Sequence, residues 1–386
     1  MHLPLFDDII PSFSGTIPSH QIPLYTSMDI RTSGNRTIVV DTNVFPAGFN
    51  NIHPLDYRRA SDAFKNTLSS FPPNASVLLI CEENTRNPFY LSHLNTLCSI
   101  LVDAGYTVRC ATFLANNLDY CQFETSVTLA DSNQSPITLW CLHHVIQEMQ
   151  SGLYAPQLAI LNNDLSNGLA PILSNLSIPI LPSTHHGWYQ RQKSRHFDLF
   201  HQVVHELASM YSFDPTLFLC HHDVCHHLNI NDEADRLKLS QAIHQFICES
   251  GSHSVFIKHN SGTYGMGIMV VQSGDEMINL NRKGRNRMQT GKNSQPIHDY
   301  LLQEGIPTTL LSQDQHPAEW VVVNVGDQMV GLFMRVNQEK GAIDNLNSSG
   351  MLFEPVSLDS ISKELYNRLR LASLIGIKAV ALECCE

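Results

Sequence analysis

Basic residues are scarce in this sequence of 386 amino acids. The 24 lysine and arginine residues are outnumbered by 36 aspartate and glutamate residues, which gives a formal net charge of -12. Nucleic-acid-binding proteins need a basic surface to neutralise phosphates, so the charge balance argues against that class. Charged residues make up 16% of the chain, below the roughly 25% of typical soluble domains. Because 43% of the residues are hydrophobic, we expect a folded protein rather than a disordered one.

Long apolar runs are also missing, and no stretch of about 18 apolar residues is present to span a membrane. The N-terminal sequence MHLPLFDDII carries acidic residues where a secretory signal has basic ones, so no export signal is predicted. The ten cysteines are scattered along the chain, which favours free thiols in a reducing compartment. We therefore expect a cytoplasmic protein without membrane or nucleic-acid partners. Its oligomeric state is left open.

Short apolar runs followed by polar segments recur in the first half of the sequence. Strands are predicted at residues 37–40, 77–80, 107–110 and 157–161, with a helix over residues 90–104. Alternating strands and helices imply a parallel sheet with crossover helices, and ligands collect at the carboxyl ends of its strands. An irregular segment is predicted over residues 1–29, because the four prolines within it interrupt regular secondary structure. An α/β substrate-binding domain is predicted over residues 30–185.

The sharpest local feature is the glycine-rich segment KHNSGTYGMG at residues 258–267. Three glycines within six residues let the backbone approach a ligand and direct N–H groups at phosphates. Predicted strands at 254–258 and 268–271 flank it, so it is a flap between antiparallel strands, unlike the strand-to-helix turns of Rossmann and P-loop proteins. Protein kinases and ATP-grasp ligases use such a flap, and the kinase strings HRD and DFG are absent. A ligand-free hairpin turn is the alternative.

Later segments supply the other parts of a nucleotide site. Lys258 enters the flap where an ammonium can reach phosphate oxygens, and residues 303–304 suit contacts with adenine and ribose. Arg335 supplies a cation for phosphate, while Asn345 and Asn347 supply oxygen ligands for Mg²⁺. Lysine, adenine-binding linker, arginine and magnesium ligands follow one another in the order that an ATP-grasp fold requires.

Several strings carry a family resemblance. They are VDTNVFPAGFNN at 40–51, NTRN at 84–87, LNNDLS at 161–166, GW at 187–188, KSRHF at 193–197, GTYGMGIM at 262–269, QEG at 303–305, RV at 335–336, NLN at 345–347 and GM at 350–351. Through them the chain resembles the ATP-grasp type of bacterial glutamate–cysteine ligase. The resemblance implies ATP-dependent formation of γ-glutamylcysteine, the first step of glutathione synthesis.

The resemblance also implies a fold and domain order. The fold class is α/β, with an N-terminal parallel-sheet domain of the kind that precedes ATP-grasp folds, followed by two α+β ATP-grasp subdomains. The subdomain with the glycine flap is expected over residues 186–310, and the one with the arginine and asparagine site over residues 311–386. The partners implied are small molecules: ATP, Mg²⁺, glutamate and cysteine.

The candidate site residues fall into four groups. Lys258 and Arg335 are the catalytic candidates. The candidates for ATP binding are Lys258, Gly262, Thr263, Tyr264, Gly265, Met266, Gly267, Gln303 and Glu304. The candidates for binding the amino acids are Asp41, Asn43, Arg86, Asn163, Asp164, Arg191 and Arg195, since arginines can pair with carboxylates and aspartates with ammonium groups. The candidates for Mg²⁺ are Glu319, Asn345 and Asn347.

Three alternatives stay open at the level of sequence. Another ATP-grasp carboxylate–amine ligase would share the phosphate-binding residues and differ in its amino-acid substrates. A non-catalytic binding module would keep the fold without turnover, although the presence of both Lys258 and Arg335 argues against it. A His/Cys metal-binding protein is suggested by six cysteine and histidine residues within 220–227. That segment lacks the second, distant ligand pair that zinc sites have.

Overall fold

The computed structural model describes residues 6–18, 20–83, 87–113, 125–261, 267–289 and 297–384. The helices in these ranges are α1 (Ile9–Ser14), α2 (Tyr57–Thr67), α3 (Pro88–Asp103), α4 (Leu142–Gln150), α5 (Lys193–Tyr211), α6 (Glu233–Ser250), α7 (Asp275–Ile278), α8 (Arg282–Gln289) and α9 (Lys363–Glu383). Within the described residues, no helix has the length and apolar character that crossing a membrane requires.

The strands build three sheets within the described ranges. They are β1 (Tyr25–Ser33), β2 (Arg36–Asn43), β3 (Ser76–Cys81), β4 (Thr107–Thr112), β5 (Ser126–Ala130), β6 (Pro136–Cys141), β7 (Leu158–Asn162), β8 (Ile180–Leu181), β9 (His222–Cys225), β10 (Val255–His259), β11 (Met269–Val271), β12 (Tyr300–Glu304), β13 (Ala318–Val325), β14 (Gln328–Asn337) and β15 (Met351–Val356). The fold is therefore mixed α/β.

The first sheet has the order β5-β6-β4-β3-β7-β8, and its strands are parallel except for the edge strand β5. Its central strand β3 is buried on both faces: Val77 and Leu79 belong to one hydrophobic core, Leu78 and Ile80 to another. Such continuous burial is typical of parallel strands covered by helices on both sides. The strands predicted near residues 77, 107 and 157 and the helix near residue 90 are confirmed, and they form this sheet and α3.

The second sheet is antiparallel, in the order β15-β14-β13-β1-β2, and it corrects two predictions. The strand predicted at residues 37–40 exists as β2, but it lies in this sheet and not in the parallel one. Residues 1–29 are not irregular throughout, because α1 and the start of β1 fall within them. Pro11 lies in the first turn of α1, where its missing N–H is tolerated, and β1 begins after the prolines.

The two faces of the antiparallel sheet have different roles. Met28 and Trp320 lie on one face, in a core with α5 and α9. Tyr25 and Val321 lie on the other face, in a core with α2 and α3 that also reaches the parallel sheet. Asp29 is on this second face, because side chains alternate along a strand. The second face therefore turns from apolar to charged along its strands.

The third sheet is antiparallel, in the order β11-β10-β12-β9. β10 pairs antiparallel with β11, so the glycine-rich segment does connect two antiparallel strands, as predicted. Its residues 262–266 lie outside the described residues. The division of the chain into domains at residues 185 and 310 stays a prediction.

Helix α9 differs most from its predicted bounds. The sequence predicts a helix over residues 358–372, whereas α9 runs from Lys363 to Glu383. It begins where the Ser362 side chain accepts a hydrogen bond from the Leu365 N–H, which is the usual role of a serine N-cap. Its buried residues continue through Ala381, so apolar packing extends the helix beyond the predicted end. This extension brings Glu383 close to β2.

Candidate active site

Two adjoining cavities lie against the five-stranded antiparallel sheet, one between it and the four-stranded antiparallel sheet, and the other between it, α3 and the loop after β7. The smaller, the flap cavity, has a volume of about 50 Å³ and is lined by residues that include Arg31, Lys193, Lys258, Gln303 and Glu319. The larger, the acceptor cavity, has a volume of about 630 Å³ and is lined by residues that include Asn43, Asp164, Trp188, Arg335 and Phe353. Asp29, Asp41 and Asn347 line both cavities, so these three residues mark their junction.

Strand register brings the charged side chains together at this junction. Asp29 of β1 lies opposite Asp41 of β2, and Glu319 of β13 lies opposite Arg335 of β14. Side chains of directly opposed residues on antiparallel strands project from the same face of the sheet. Arg31 shares the face of Asp29, because the two are separated by one residue on β1.

Four of these residues form a buried chain of alternating charge. The Arg335 guanidinium is 2.7 Å from an Asp29 carboxylate oxygen and 2.6 Å from one of Glu319. Arg31 Nε is 2.9 Å from the other Glu319 oxygen. Burial, only partly offset by Arg335, raises the pKa of Asp29. Burial also opposes ionisation of Glu319, but Arg31 and Arg335 outweigh it and lower the pKa of that carboxyl. Arg335 is thus held in one orientation at the junction.

Two lysines approach the same junction from the other side. A register shift between β1 and β2 leaves Val40 as the extra residue of a β-bulge, and its carbonyl accepts a hydrogen bond of 2.9 Å from Lys258 Nζ. Lys193, in the first turn of α5, forms an ion pair with Asp41. Burial lowers the pKa of Lys258 to about 8. Although burial opposes it, Lys193 and Lys258 lower the pKa of Asp41 to about 2, so this carboxylate is charged at neutral pH.

The flap cavity also contains amide donors without partners. The Gln303 side chain is 1% exposed, and its Nε2 has no hydrogen-bond partner among the described residues. Asn345 Nδ2 is also buried and has no hydrogen-bond partner among the described residues. Because buried polar groups are nearly always paired, two unpaired donors lining one cavity indicate a polar ligand. Phe256 and Ile306 add apolar surface to the lining. Glu304 also lines it, but its carboxylate is already held by Arg36 at 2.7 and 3.0 Å.

The acceptor cavity receives three of the residues predicted to bind amino acids. Asp41 and Asn43 come from the end of β2, and Asp164 from the loop after β7. The carboxyl ends of these strands meet here, as the sequence predicts for β7. Asn163, in contrast, lines neither cavity. Its side-chain oxygen accepts a hydrogen bond of 2.9 Å from the Leu165 N–H, so it stabilises the turn that carries Asp164.

The sequence predicts that Arg191 binds a substrate carboxylate, but in the structure it pairs with a carboxylate of the protein itself. Its guanidinium is 2.6 and 3.1 Å from the two carboxylate oxygens of Glu383 and donates to the Thr42 carbonyl at 2.7 Å. His196 contacts both Glu383 and the Thr42 hydroxyl. Arg191 therefore has an internal carboxylate partner, and this network supports Thr42, which lies between Asp41 and Asn43.

The remaining candidates divide into those described and those not. Arg195 is half-buried and lines neither cavity. Gly267 has a φ of 65° and packs so closely on His259 that a Cβ would collide with its ring. Arg86, Gly262, Thr263, Tyr264, Gly265 and Met266 lie outside the described residues, and their roles stay predictions.

The three predicted magnesium ligands, Glu319, Asn345 and Asn347, all line the flap cavity. Within the described part of the chain, no group of three or more histidine, cysteine, aspartate or glutamate side chains is placed to hold a metal ion. This finding does not favour the His/Cys metal-binding alternative. His222 instead pairs with Asp198 at 2.9 Å.

Sequence reasoning missed Asp29, Arg31 and Lys193. Asp29 and Arg31 pair with β13 and β14, about 300 positions away, and no local pattern indicates that contact. Lys193 begins the string KSRHF that carries the resemblance, so that string could have indicated it. The missed residues supply three of the charges around the junction.

Comparisons with known proteins identify the family of this chain. The family model described as glutamate-cysteine ligase matches residues 6–370. A structure from Methylobacillus flagellatus KT, provisionally assigned as a gamma-glutamylcysteine synthetase, has 27% sequence identity and a TM-score of 0.82, covering 98% of this chain and 93% of that one. D-alanyl-alanine synthetase A from Vibrio cholerae is far more distant, with 12% identity, a TM-score of 0.36, and coverage of 80% and 82%. No curated protein sequence matches significantly. The chain therefore belongs to the glutamate–cysteine ligase family and is an ATP-dependent ligase.

Proposed function

We propose that this enzyme joins the γ-carboxylate of L-glutamate to the α-amine of L-cysteine, with ATP bound at the flap cavity and the amino acids in the acceptor cavity. The flap cavity must widen from its volume of about 50 Å³ to admit the nucleotide. The observation that carries the proposal is the shared boundary of the two cavities at Asp29, Asp41 and Asn347. A phosphoryl donor on one side of that boundary can meet a carboxylate on the other.

The chemistry requires such a meeting point, because a carboxylate oxygen is a poor leaving group. In the first step, a γ-carboxylate oxygen of glutamate attacks the γ-phosphorus of ATP, ADP departs and an acyl phosphate forms. In the second step, the cysteine amine attacks the acyl carbon, the bond from that carbon to the phosphate oxygen breaks, and inorganic phosphate and a proton are released. Phosphoryl transfer of this kind is catalysed mainly by positioning and charge neutralisation.

The cations at the junction suit these two tasks. Lys258 and Lys193 line the flap cavity, where they can neutralise phosphate oxygens. Arg335 reaches the acceptor cavity and is held by Asp29 and Glu319 before any ligand binds. A donor fixed in advance stabilises developing charge without the cost of reorganisation. These local cations offset the net charge of -12, which would otherwise repel ATP and glutamate.

Magnesium fits the donor set of the flap cavity. The Glu319 carboxylate, whose two oxygens also pair with Arg31 and Arg335, and the amide oxygens of Asn345 and Asn347 are hard ligands. Mg²⁺ commonly binds one or two carboxylates together with substrate phosphates. We assign these three residues to Mg²⁺, whose positive charge would neutralise the phosphates of bound ATP. Gln303, with its unpaired Nε2, is assigned to the nucleotide base.

The ATP-grasp architecture is part of the same proposal. Its support is that a glycine-rich segment connects the antiparallel strands β10 and β11, and that His259 and Ile268, near the two ends of this segment, line the flap cavity. We retain the substrate-binding domain at residues 30–185 and the ATP-grasp subdomains at 186–310 and 311–386. A cytoplasmic location is retained as well, since a thiol substrate needs a reducing compartment.

The test is ADP release with ATP and glutamate fixed and the second amino acid varied. The proposal expects turnover that requires both glutamate and cysteine, with γ-glutamylcysteine identified by mass spectrometry. ADP release without glutamate would overturn it. A strict preference for another amine would instead support a different carboxylate–amine ligase of the same fold.

A further inference from the structure

Two cysteine thiols lie in contact where α3 packs on the parallel sheet. Cys98 Sγ, in the second half of α3, is 3.2 Å from Cys110 Sγ on β4. Both are free thiols in the structure. The sulfur atoms of a disulfide bond are about 2.05 Å apart, so only a short movement separates this pair from a covalent link.

The connection between α3 and β4 accounts for this contact. Gly105, with a φ of 98°, follows the end of α3, and the chain then returns along the helix as β4. Neighbouring side chains of a strand face opposite sides of its sheet. Cys110 belongs to the core that α3 covers, whereas Ala111 belongs to the core on the other side. The register of β4 therefore directs the Cys110 side chain toward α3.

The two thiols differ in their exposure to solvent. Cys98 is half-buried and precedes the exposed Ser99, whereas Cys110 is only 5% exposed. The hydrogen bond with Cys98 and burial together raise the pKa of the Cys110 thiol well above its usual value. Disulfide exchange depends on access as well as on the thiolate form. A reagent in solution therefore reacts at Cys98, and Cys110 reacts only with a partner inside the fold.

We propose that Cys98 and Cys110 form a reversible disulfide bond when the enzyme meets a low-molecular-weight disulfide such as cystine. The Cys98 thiolate attacks one sulfur of cystine, the sulfur–sulfur bond of cystine breaks, and one cysteine departs. Cys110 Sγ then attacks Cys98 Sγ, the mixed disulfide breaks, and a second cysteine departs. The two protons lost by the protein end on the two released cysteines. Two protein thiols are thereby oxidised and one cystine is reduced.

The bond would link two elements that frame the acceptor cavity. α3 supplies Tyr90 and His93 to the lining of that cavity, and β4 pairs with the central strand β3. Cys98 and Cys110 are 12 positions apart, and a disulfide across such a separation stabilises a protein mainly by restricting its unfolded chain. Because the thiols already touch in the reduced fold, we expect the oxidised enzyme to be the more stable form.

This inference goes beyond the proposed function and does not depend on it. Its readouts are the state of the protein's own thiols and the unfolding of the chain, and neither requires turnover. Failure of the ligation assay would therefore leave it standing, and its own failure would leave the proposed function untouched.

The first experiment treats the reduced enzyme with cystine and maps its disulfides by mass spectrometry of peptides kept under non-reducing conditions. We expect the protein to lose two hydrogen atoms, a cross-linked peptide to join Cys98 to Cys110, and dithiothreitol to restore both thiols. Cys81 lies in the same core as Cys110 but donates its thiol proton to the Ala111 carbonyl at 3.0 Å. Absence of the cross-linked peptide, or a link that uses Cys81 instead, would overturn the inference.

Serine variants separate the two steps of the reaction. In Cys110→Ser, Cys98 should retain one cysteine as a mixed disulfide, because the second thiol is missing. In Cys98→Ser, Cys110 should stay unmodified. Cys248→Ser is the matched control, since Cys248 is an exposed thiol on α6 and its removal should leave the link intact. Modification of Cys110 in Cys98→Ser would contradict the proposed order.

The second experiment compares urea-induced unfolding of the enzyme before and after cystine treatment. We expect oxidation to raise the urea midpoint of the native enzyme by about 0.5 M, and the same treatment to give Cys110→Ser no increase. Unfolding of the reduced variants checks that each serine substitution leaves the fold intact. A native midpoint that stays the same or falls after the disulfide has formed would show that the bond does not fit the folded structure.

Discussion

Burial of the Lys258 ammonium gives nucleotide binding a pH dependence. Its pKa of about 8 lies well below that of a free lysine, so the side chain loses its proton as the pH rises through 8. The attraction for phosphate oxygens is lost in that form. We expect the dissociation constant for ATP, measured by calorimetry without amino acids, to rise at least about tenfold between pH 7 and pH 9.5.

A charged replacement provides the control for this prediction. Lys258→Arg keeps a positive charge throughout the range, because a guanidinium has a pKa above about 12. Its dissociation constant for ATP should therefore stay flat above pH 8, whatever its value at pH 7. A parallel rise in both proteins would show that Lys258 is not the titrating group.

Individual site residues were predictable from sequence where they stand in short local strings. Lys258 precedes a glycine-rich segment, and Asn345 and Asn347 form the string NLN. Arg191 was misassigned for the converse reason. Its carboxylate partner Glu383 is 192 positions away and lies beyond the predicted end of the last helix. A buried ion pair between distant segments leaves no local pattern to read.

At the scale of elements, Glu383 at the end of α9 is connected to the active-site strand β2, because Arg191 and His196 contact both Glu383 and Thr42. The Glu383 side chain is 7% exposed and pairs with Arg191. Glu383→Gln should lower the free energy of unfolding by about 3–5 kcal/mol, because it leaves the Arg191 charge buried without a counter-ion. The measurement is urea-induced unfolding at pH 7.

The pH dependence of this effect has a definite sign. Burial opposes ionisation of Glu383, but Arg191 and His196 outweigh it and hold the pKa of the carboxyl far below its usual value. The contribution to stability is therefore present above the unfolded-state pKa of about 4.3 and is lost as the pH falls below it. Glu364→Gln, at the exposed start of the same helix, is the control and should change stability by less than about 1 kcal/mol. Equal effects of the two substitutions would contradict this account of α9.

Gly267 ends the glycine-rich segment just before β11, and the backbone conformation there requires a glycine. Its φ of 65° strains any residue with a Cβ by about 1–2 kcal/mol, and the added carbon would collide with His259. Gly267→Ala should therefore raise the KM for ATP about tenfold or more. Gly34→Ala has a similar φ of 60° but open space around it, and Gly34 lines neither cavity, so this substitution should leave that KM unchanged. An unchanged KM for ATP in Gly267→Ala would argue against a role for this end of the flap.

For the whole molecule, the sequence predicts the parallel sheet and misses most of the antiparallel sheet beside it. β3, β4 and β7 are signalled by short, mostly apolar runs and by intervening helices, which are local patterns. The five-stranded sheet combines β1 and β2 with β13 to β15, and only its hairpin from β13 to β14 is local enough to be predicted. The charged junction of the active site lies on this sheet. The sequence thus identifies many of the site residues but does not predict the five-stranded sheet that brings them together.

The central claim for the whole molecule is that ATP phosphorylates the γ-carboxylate of glutamate where the two cavities meet. It is tested most directly with glutamate carrying ¹⁸O in its γ-carboxylate alone, incubated with the enzyme, ATP, Mg²⁺ and cysteine. The account predicts that each inorganic phosphate released carries one ¹⁸O atom, because the acyl phosphate oxygen leaves with phosphorus. Ligation that releases only unlabelled phosphate would contradict it.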